Sequence, residues 1–166
     1  MSGSIVNIAG YRFVDIPDRD ELRQPFRDVC HKLGLKGTIL IANKGINFFL
    51  SGTQESVDGY LAFIEEDARF QNMALKISYS DYQPFRRMNV RLKNEIISIG
   101  LEHIRPVAKT GEEITPTDFK KLLDDGEDVL VLDTRNDYEI RIGTFQMATK
   151  LGIKTFRDFP RAVDEM

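Results

Sequence analysis

Two rhythms of apolar and polar positions run along residues 1–80. Ile5-Val6-Asn7-Ile8-Ala9-Gly10-Tyr11-Arg12-Phe13 is strand-like, with apolar residues dominating both faces. Asp18, with Glu21 three residues on, then starts a helix as a variant of the capping box. Leu22, Phe26, Val29, Cys30 and Leu33 share one side of that helix, and Gly34 closes it. From Gly37 to Gly52 two apolar runs rich in β-branched and aromatic residues flank the break Asn43-Lys44-Gly45, the pattern of a buried hairpin with a three-residue loop. Thr53 caps a second helix with the stripe Val57, Tyr60, Leu61, Ile64 and Ala68, and Leu75–Tyr79 alternates as a last strand. Strand, helix, strand, strand, helix, strand is the split β-α-β order. It predicts an α+β ferredoxin-like domain over residues 1–80, a four-stranded antiparallel sheet with two helices on one face. That fold hosts many functions and names none.

Residues 81–104 change character and read as a connector hairpin. The cations Arg86, Arg87, Arg91 and Lys93 follow the aromatics Tyr79, Tyr82 and Phe85, and Arg91 and Lys93 alternate with Val90 and Leu92 as on a strand with one solvated face. Asn94 and Glu95 turn the chain into a second strand, Ile96–Ile99. Cations interleaved with rings suit an RNA surface, where charge meets phosphate and rings stack on unpaired bases. The same residues also read as a linker whose cations pair with the chain's carboxylates, and the pattern leaves both open. At the hairpin tip, Asn43-Lys44-Gly45 followed by Asn47 carries the polar groups placed to make a contact, and the pattern leaves open a functional site or only a well-made turn.

From residue 105 to 166 a second, α/β part begins. Thr115-Pro116 is a strong helix start, Phe119, Leu122 and Leu123 give that helix an apolar side, and Gly126 ends it. Val129-Leu130-Val131-Leu132 is a continuous apolar run, expected to be buried on both faces of a parallel sheet. Asp133, Arg135 and Glu139 follow it, with Arg135 and Glu139 spaced as an ion pair, and then Ile142-Gly143-Thr144-Phe145.

Composition adds limits. With 42% hydrophobic and 30% charged residues the chain can bury a core, and a net charge of -3 argues against non-specific coating of nucleic acid while allowing a local basic face. Cys30 is the sole cysteine, so no disulfide forms within the chain, and it belongs to an apolar helix stripe as a buried thiol. His31 and His103 have no companion at metal-ligand spacing. No run approaches the roughly 18 apolar residues of a membrane span. The N-terminus lacks a secretory signal, so a cytoplasmic location without a membrane partner is expected.

The apolar strand followed by Asp133-Thr134-Arg135, Glu139 and Ile142-Gly143-Thr144-Phe145 resembles the opening of a rhodanese domain, in which Asp133, Arg135, Glu139 and Gly143 form a structural signature. Gly37-Thr38-Ile39-Leu40-Ile41-Ala42, with Gly45-Ile46-Asn47 after it, is more specific. Together with Phe156-Arg157-Asp158-Phe159-Pro160 it resembles the rhodanese-like tRNA uridine hydroxylase family. The resemblance implies oxygen-dependent hydroxylation of wobble uridine to 5-hydroxyuridine, with molecular oxygen as co-substrate, tRNA as partner and no further cofactor in this chain, and it makes Lys44 and Asn47 candidate RNA or interdomain contacts. In that family the essential cysteine lies in a rhodanese loop downstream of the segment matching Phe156–Pro160. Cys30 is not its counterpart, so no catalytic residue is assigned here, and the chain is expected to be an inactive N-terminal portion with an incomplete rhodanese part. Two other readings stay open: a portion of a rhodanese-type sulfurtransferase, and a non-enzymatic RNA-binding or interaction module. An acylphosphatase activity lacks a Gly-rich phosphate loop with paired Arg and Asn near the first strand. Apolar surface left by a half sheet would be covered by the first domain or by a second copy, as in a homo-oligomer.

Overall fold

A computed structural model describes residues 4–95 and 111–166. The chain divides into two units, Met1–Ile96 and Ile97–Met166, each described by itself. The expected strand Ile96–Ile99 and His103 lie outside the described residues.

In the first unit β1 (Ile5–Phe13), α1 (Arg19–Lys32), β2 (Lys36–Ala42), β3 (Gly45–Gly52), α2 (Gln54–Glu65) and β4 (Leu75–Ser80) give the predicted order. The sheet order β4-β1-β3-β2, all antiparallel, is that of the ferredoxin-like plait. A fifth strand extends it. β5 (Met88–Leu92) pairs in parallel with the outer edge of β2, so the sheet is mixed and five-stranded. Sequence reasoning found that strand but placed it in a connector, because periodicity marks a strand without naming its neighbour.

Both helices pack on one side of the sheet, α1 over β2 and β5, α2 over β1 and β3. Ile8, Ile39, Ile41, Ile46, Phe48 and Leu50 point there and are fully buried. Each contributes about 1.5–3 kcal/mol by leaving water. Phe26 joins the helices to the 3-10 turn Ala68–Phe70, meeting Tyr60, Phe63 and Phe70 edge-to-face at ring separations of 5.2–6.3 Å. Helix α1 ends in a Schellman motif: Gly34, at φ 68°, donates to His31 O (3.1 Å), and Leu35 donates to Cys30 O (2.9 Å).

Two local expectations change. Asp18 precedes α1 but its side chain makes no cap hydrogen bond; its carboxylate pairs with the Arg69 guanidinium instead. The hairpin loop has two residues, Asn43 and Lys44, since Ala42 and Gly45 are already paired. Neither loop residue has a positive φ, and Gly45 takes that role at 151°.

The second unit contains α3 (Pro116–Asp124), β6 (Leu132–Asp133), α4 (Asp137–Ile140), β7 (Thr149–Lys150) and α5 (Phe159–Asp164). Thr115 caps α3 as expected, accepting from Asp118 N at 3.1 Å. The run Val129–Leu132 is not buried on both faces: only its end joins a strand, β6, paired in parallel with β7, and Leu130 is 69% exposed. A two-residue ladder cannot cover such a run.

Candidate nucleic-acid interface

Because paired residues point to the same side of a sheet, the register fixes what the face away from the helices presents. One row across it reads Tyr11, Asn47, Leu40, Arg91 on β1, β3, β2 and β5. The next reads Lys76, Ala9, Phe49, Thr38, Asn89, beginning on β4. Asn47 is therefore not only near a turn; it sits between Tyr11 and Leu40 in the middle of this face. The turn after β4 closes one end. Gln83 Nε2 donates to Ser51 O (3.1 Å), Phe85 meets Phe49 edge-to-face at 5.4 Å, and buried Asn7 is held by Ser51 and Ser80.

The four cations of the basic strip line the β5 edge. Arg86 and Arg87 precede the strand, Arg91 lies on its helix-free side, Lys93 follows it, and all four are exposed. Backbone bonds hold the strip in place: Gly37 N donates to Arg87 O (3.1 Å), Lys93 N donates to Ile41 O (2.8 Å), and Arg19 donates to Lys93 O. Among the described residues none of these four side chains forms an ion pair, so the linker reading, with its cations matched to carboxylates, finds no support there. Lys44 is separate from the strip, half-buried at the hairpin tip. Its carbonyl and that of Asn43 accept from Val14 N (3.3 Å) and Ile16 N (2.8 Å), which ties the tip to the β1–α1 loop. That loop, Val14 to Asp18, thus spends two of its N–H groups internally and has neither glycine nor arginine with which to cradle a phosphate.

Sequence reasoning missed Tyr11, Phe49, Lys36 and Lys76 as members of this face. The signal was present in Phe48-Phe49, since adjacent strand residues must point opposite ways. Of the aromatics it did single out, Phe85 reaches the face, whereas Tyr79 pairs with Val6 and so belongs to the opposite side.

Elsewhere among the described residues the polar clusters bond within their own unit. Arg69 bridges Asp18 and Asp67 and holds both carboxyls below the usual range, chiefly through its hydrogen bonds. Cys30 is fully buried, and desolvation pushes its thiol up to about 12. In the second unit Arg135 does not pair with Glu139. It grips Asp133 through Nε (3.0 Å) and Nη2 (2.6 Å) and donates to Gly143 O (2.7 Å), while Thr144 adds a bond to Asp133 (2.7 Å). These bonds, Arg135 first, hold the Asp133 carboxyl well below its ordinary value. Glu139 accepts from Asn136 N (3.1 Å) and caps α4, because the third helical position faces back to that N–H. No group of acidic, histidine or cysteine residues suited to a metal occurs among the described residues.

Residues 5–96, more than half of the chain, match the sequence profile of the UPF0176 acylphosphatase like domain. The chain belongs to that family. The matched residues are those of the first unit described above, β5 included. A tRNA uridine(34) hydroxylase of Cupriavidus taiwanensis is 48% identical over 164 residues, 96% of this chain and 58% of that protein. Proteins of the same name from Cupriavidus metallidurans (48% over 166 residues, 97% and 59%) and Ralstonia nicotianae (45% over 164 residues, 96% and 58%) are similar too. The chain thus spans less than three fifths of the length of these relatives. Among solved structures it is similar to BlrB, a BLUF protein in its dark state, with TM-score 0.48 and 17% identity over 60% of this chain and 80% of that one. A likeness of that strength says nothing about ligands.

Proposed function

We propose that this chain is the N-terminal portion of a tRNA-modifying oxygenase that hydroxylates wobble uridine to 5-hydroxyuridine with molecular oxygen, and that its own part is to hold the tRNA. The observation that carries the reading is the 48% identity, spread over 96% of the chain, to a protein named tRNA uridine(34) hydroxylase. The β5 edge supports it physically. Arg86, Arg87, Arg91 and Lys93 form a fixed row of cations without carboxylate partners among the described residues, which suits a phosphate backbone. Lys44 at the hairpin tip and Asn47 on the sheet face are assigned to tRNA contacts apart from that row, and a tRNA substrate fits a cytoplasmic setting.

Hydroxylation itself is assigned to a reactive cysteine outside these residues. Cys30 is the sole cysteine here, and a fully buried thiol held near 12 supplies no thiolate at neutral pH. The second unit is read as the opening of a rhodanese-type domain. Leu130, Ile142 and Met147 in solvent suit coverage by further strands or by a second copy in a homo-oligomer. The test pairs binding with product. The 166-residue chain is incubated with tRNA in air, its affinity is measured, and the nucleosides are analysed by mass spectrometry. Binding without 5-hydroxyuridine is expected. Product formation by this chain would overturn the assignment of the chemistry to another cysteine, and absence of tRNA binding would overturn the role given to the first unit.

A further inference from the structure

We propose that the helix-free face of the five-stranded sheet is a stacking platform for unpaired nucleotides of tRNA, with Tyr11 and Phe49 under the bases. The proposal rests on the tRNA reading above and adds where, and by which chemistry, single-stranded nucleotides are held.

An antiparallel sheet covered on one side normally turns polar side chains to water on the other. Here the two strands β1 and β3 each turn an exposed ring to that side among their polar residues. Tyr11 on β1 is 54% exposed and Phe49 on β3 is 48% exposed. They are diagonal neighbours, since Tyr11 pairs with Asn47 and Ala9 with Phe49. Diagonal positions on adjacent strands lie roughly 7–8 Å apart, close enough for the two rings to serve consecutive bases. Neither ring is needed for the core, which takes Phe48 and Gly10 from the same strands on the opposite side. Phe85, packed against Phe49, fixes that ring's orientation without covering it.

Charge decides the kind of occupant. The strand positions turned to this face include Lys36, Lys76 and Arg91 and no carboxylate, in a chain whose net charge is -3. A polyanion is attracted to such a surface, whereas a second copy of the same face would be repelled. Arg91 stands three strands from Tyr11, about 14 Å away, and Lys76 two strands from Phe49, about 10 Å, at the usual strand spacing. The cations therefore flank the rings on both sides, where the phosphates of a strand laid across the sheet would run. Asn47, beside Tyr11, offers both a donor and an acceptor to a base edge. Rings for bases and flanking cations for phosphates are the two requirements of single-strand recognition. A paired duplex, with its base faces occupied, would use only the cations.

The experiment measures affinity of the 166-residue chain for a labelled eight-nucleotide uridine RNA, a paired RNA duplex and whole tRNA, each across a salt series. Tyr11→Ala and Phe49→Ala are each expected to weaken single-strand binding about 5- to 100-fold. The salt slope should stay as in the parent, because neither ring meets a phosphate. Tyr11→Phe and Phe49→Tyr should restore affinity, and melting curves identify any alanine variant that has lost its fold. Arg91→Gln should lower the slope by about 0.7. Unchanged single-strand affinity in both folded alanine variants overturns the platform, as does a duplex that binds as tightly as the single strand. If the platform variants leave tRNA binding intact while neutralising Arg86, Arg87, Arg91 and Lys93 abolishes it, the platform falls and the tRNA reading stands. If no RNA binds the parent, both fall. A dimer dispersed by Phe49→Ala would reassign the face to self-association.

Discussion

Gly37→Ala should be among the most damaging single methyl additions to this chain. Gly37 pairs with Leu50 of β3 on one side and Met88 of β5 on the other, and its N–H donates to Arg87 O. Its φ is 138°, a conformation that L residues rarely adopt, and a Cβ built there would lie 2.0 Å from Phe49 O and 2.9 Å from Leu50 Cα. Both are backbone atoms, so no side chain can swing away; β2 and β3 would have to part. The strained conformation costs roughly 1–3 kcal/mol, and forcing atoms into a packed site costs roughly another 1–3 kcal/mol. We expect a total of about 4 kcal/mol, which lowers the melting temperature of a unit this size by about 15–30 °C. Gly34→Ala is the control. It also has a positive φ, 68°, but nothing within 4 Å of the added carbon, so the loss should be about 1 kcal/mol. Thermal melts followed by circular dichroism, with urea titrations alongside, measure both. Because Gly37 also anchors β5, tRNA affinity should fall in the alanine variant even below its melting temperature. A Gly37→Ala protein that melts within about 3 °C of the parent, or that is more stable than Gly34→Ala, would refute the close approach.

Other consequences concern the core and the acid limb of stability. Tyr60 buries a hydroxyl with no hydrogen-bond partner among the described residues, so Tyr60→Phe should raise stability in urea titrations by roughly 1 kcal/mol; a loss would mean that the hydroxyl is satisfied. Cys30, fully buried with its thiol near 12, should resist iodoacetamide at pH 8 in the native protein and react in urea, as read by intact mass. Arg69 lowers the carboxyl pKa values of Asp18 and Asp67, so the stability they add is complete above the unfolded value of about 3.9 and is lost as pH falls through their lower folded values. Arg69→Met should therefore lower the melting temperature at pH 7 and flatten its fall below pH 4; a parallel fall in both proteins counts against the linkage.

The plait was legible because each of its elements has a clean period and a recognisable end: Gly34 closes α1, Thr53 opens α2, and the hairpin alternates around a tight turn. What escaped was pairing at a distance. The capping pattern at Asp18 is local, but the carboxylate's partner, Arg69, is 51 residues away. The spacing of Arg135 and Glu139 suggested an ion pair, yet Asp133 stands two residues before Arg135 and offers two oxygens to its fork, which the helical rule does not weigh. Parallel addition of β5 to β2 likewise leaves no mark in the periodicity of Met88–Leu92. The basic strip was therefore visible as residues but not as the edge of a sheet, and Tyr11 and Phe49 were not singled out beside it.

The role we propose for the first unit is to hold tRNA through the cations of its β5 edge. Its most direct test is the salt dependence of tRNA affinity for the parent and for a variant carrying Arg86→Gln, Arg87→Gln, Arg91→Gln and Lys93→Gln, with equal melting temperatures as the check on folding. Removing one cation from a phosphate lowers the slope of log affinity against log salt by about 0.7–0.9, so the variant's slope should drop by roughly three units and most of its binding should disappear. Equal affinity and equal slope in the two proteins would contradict the account.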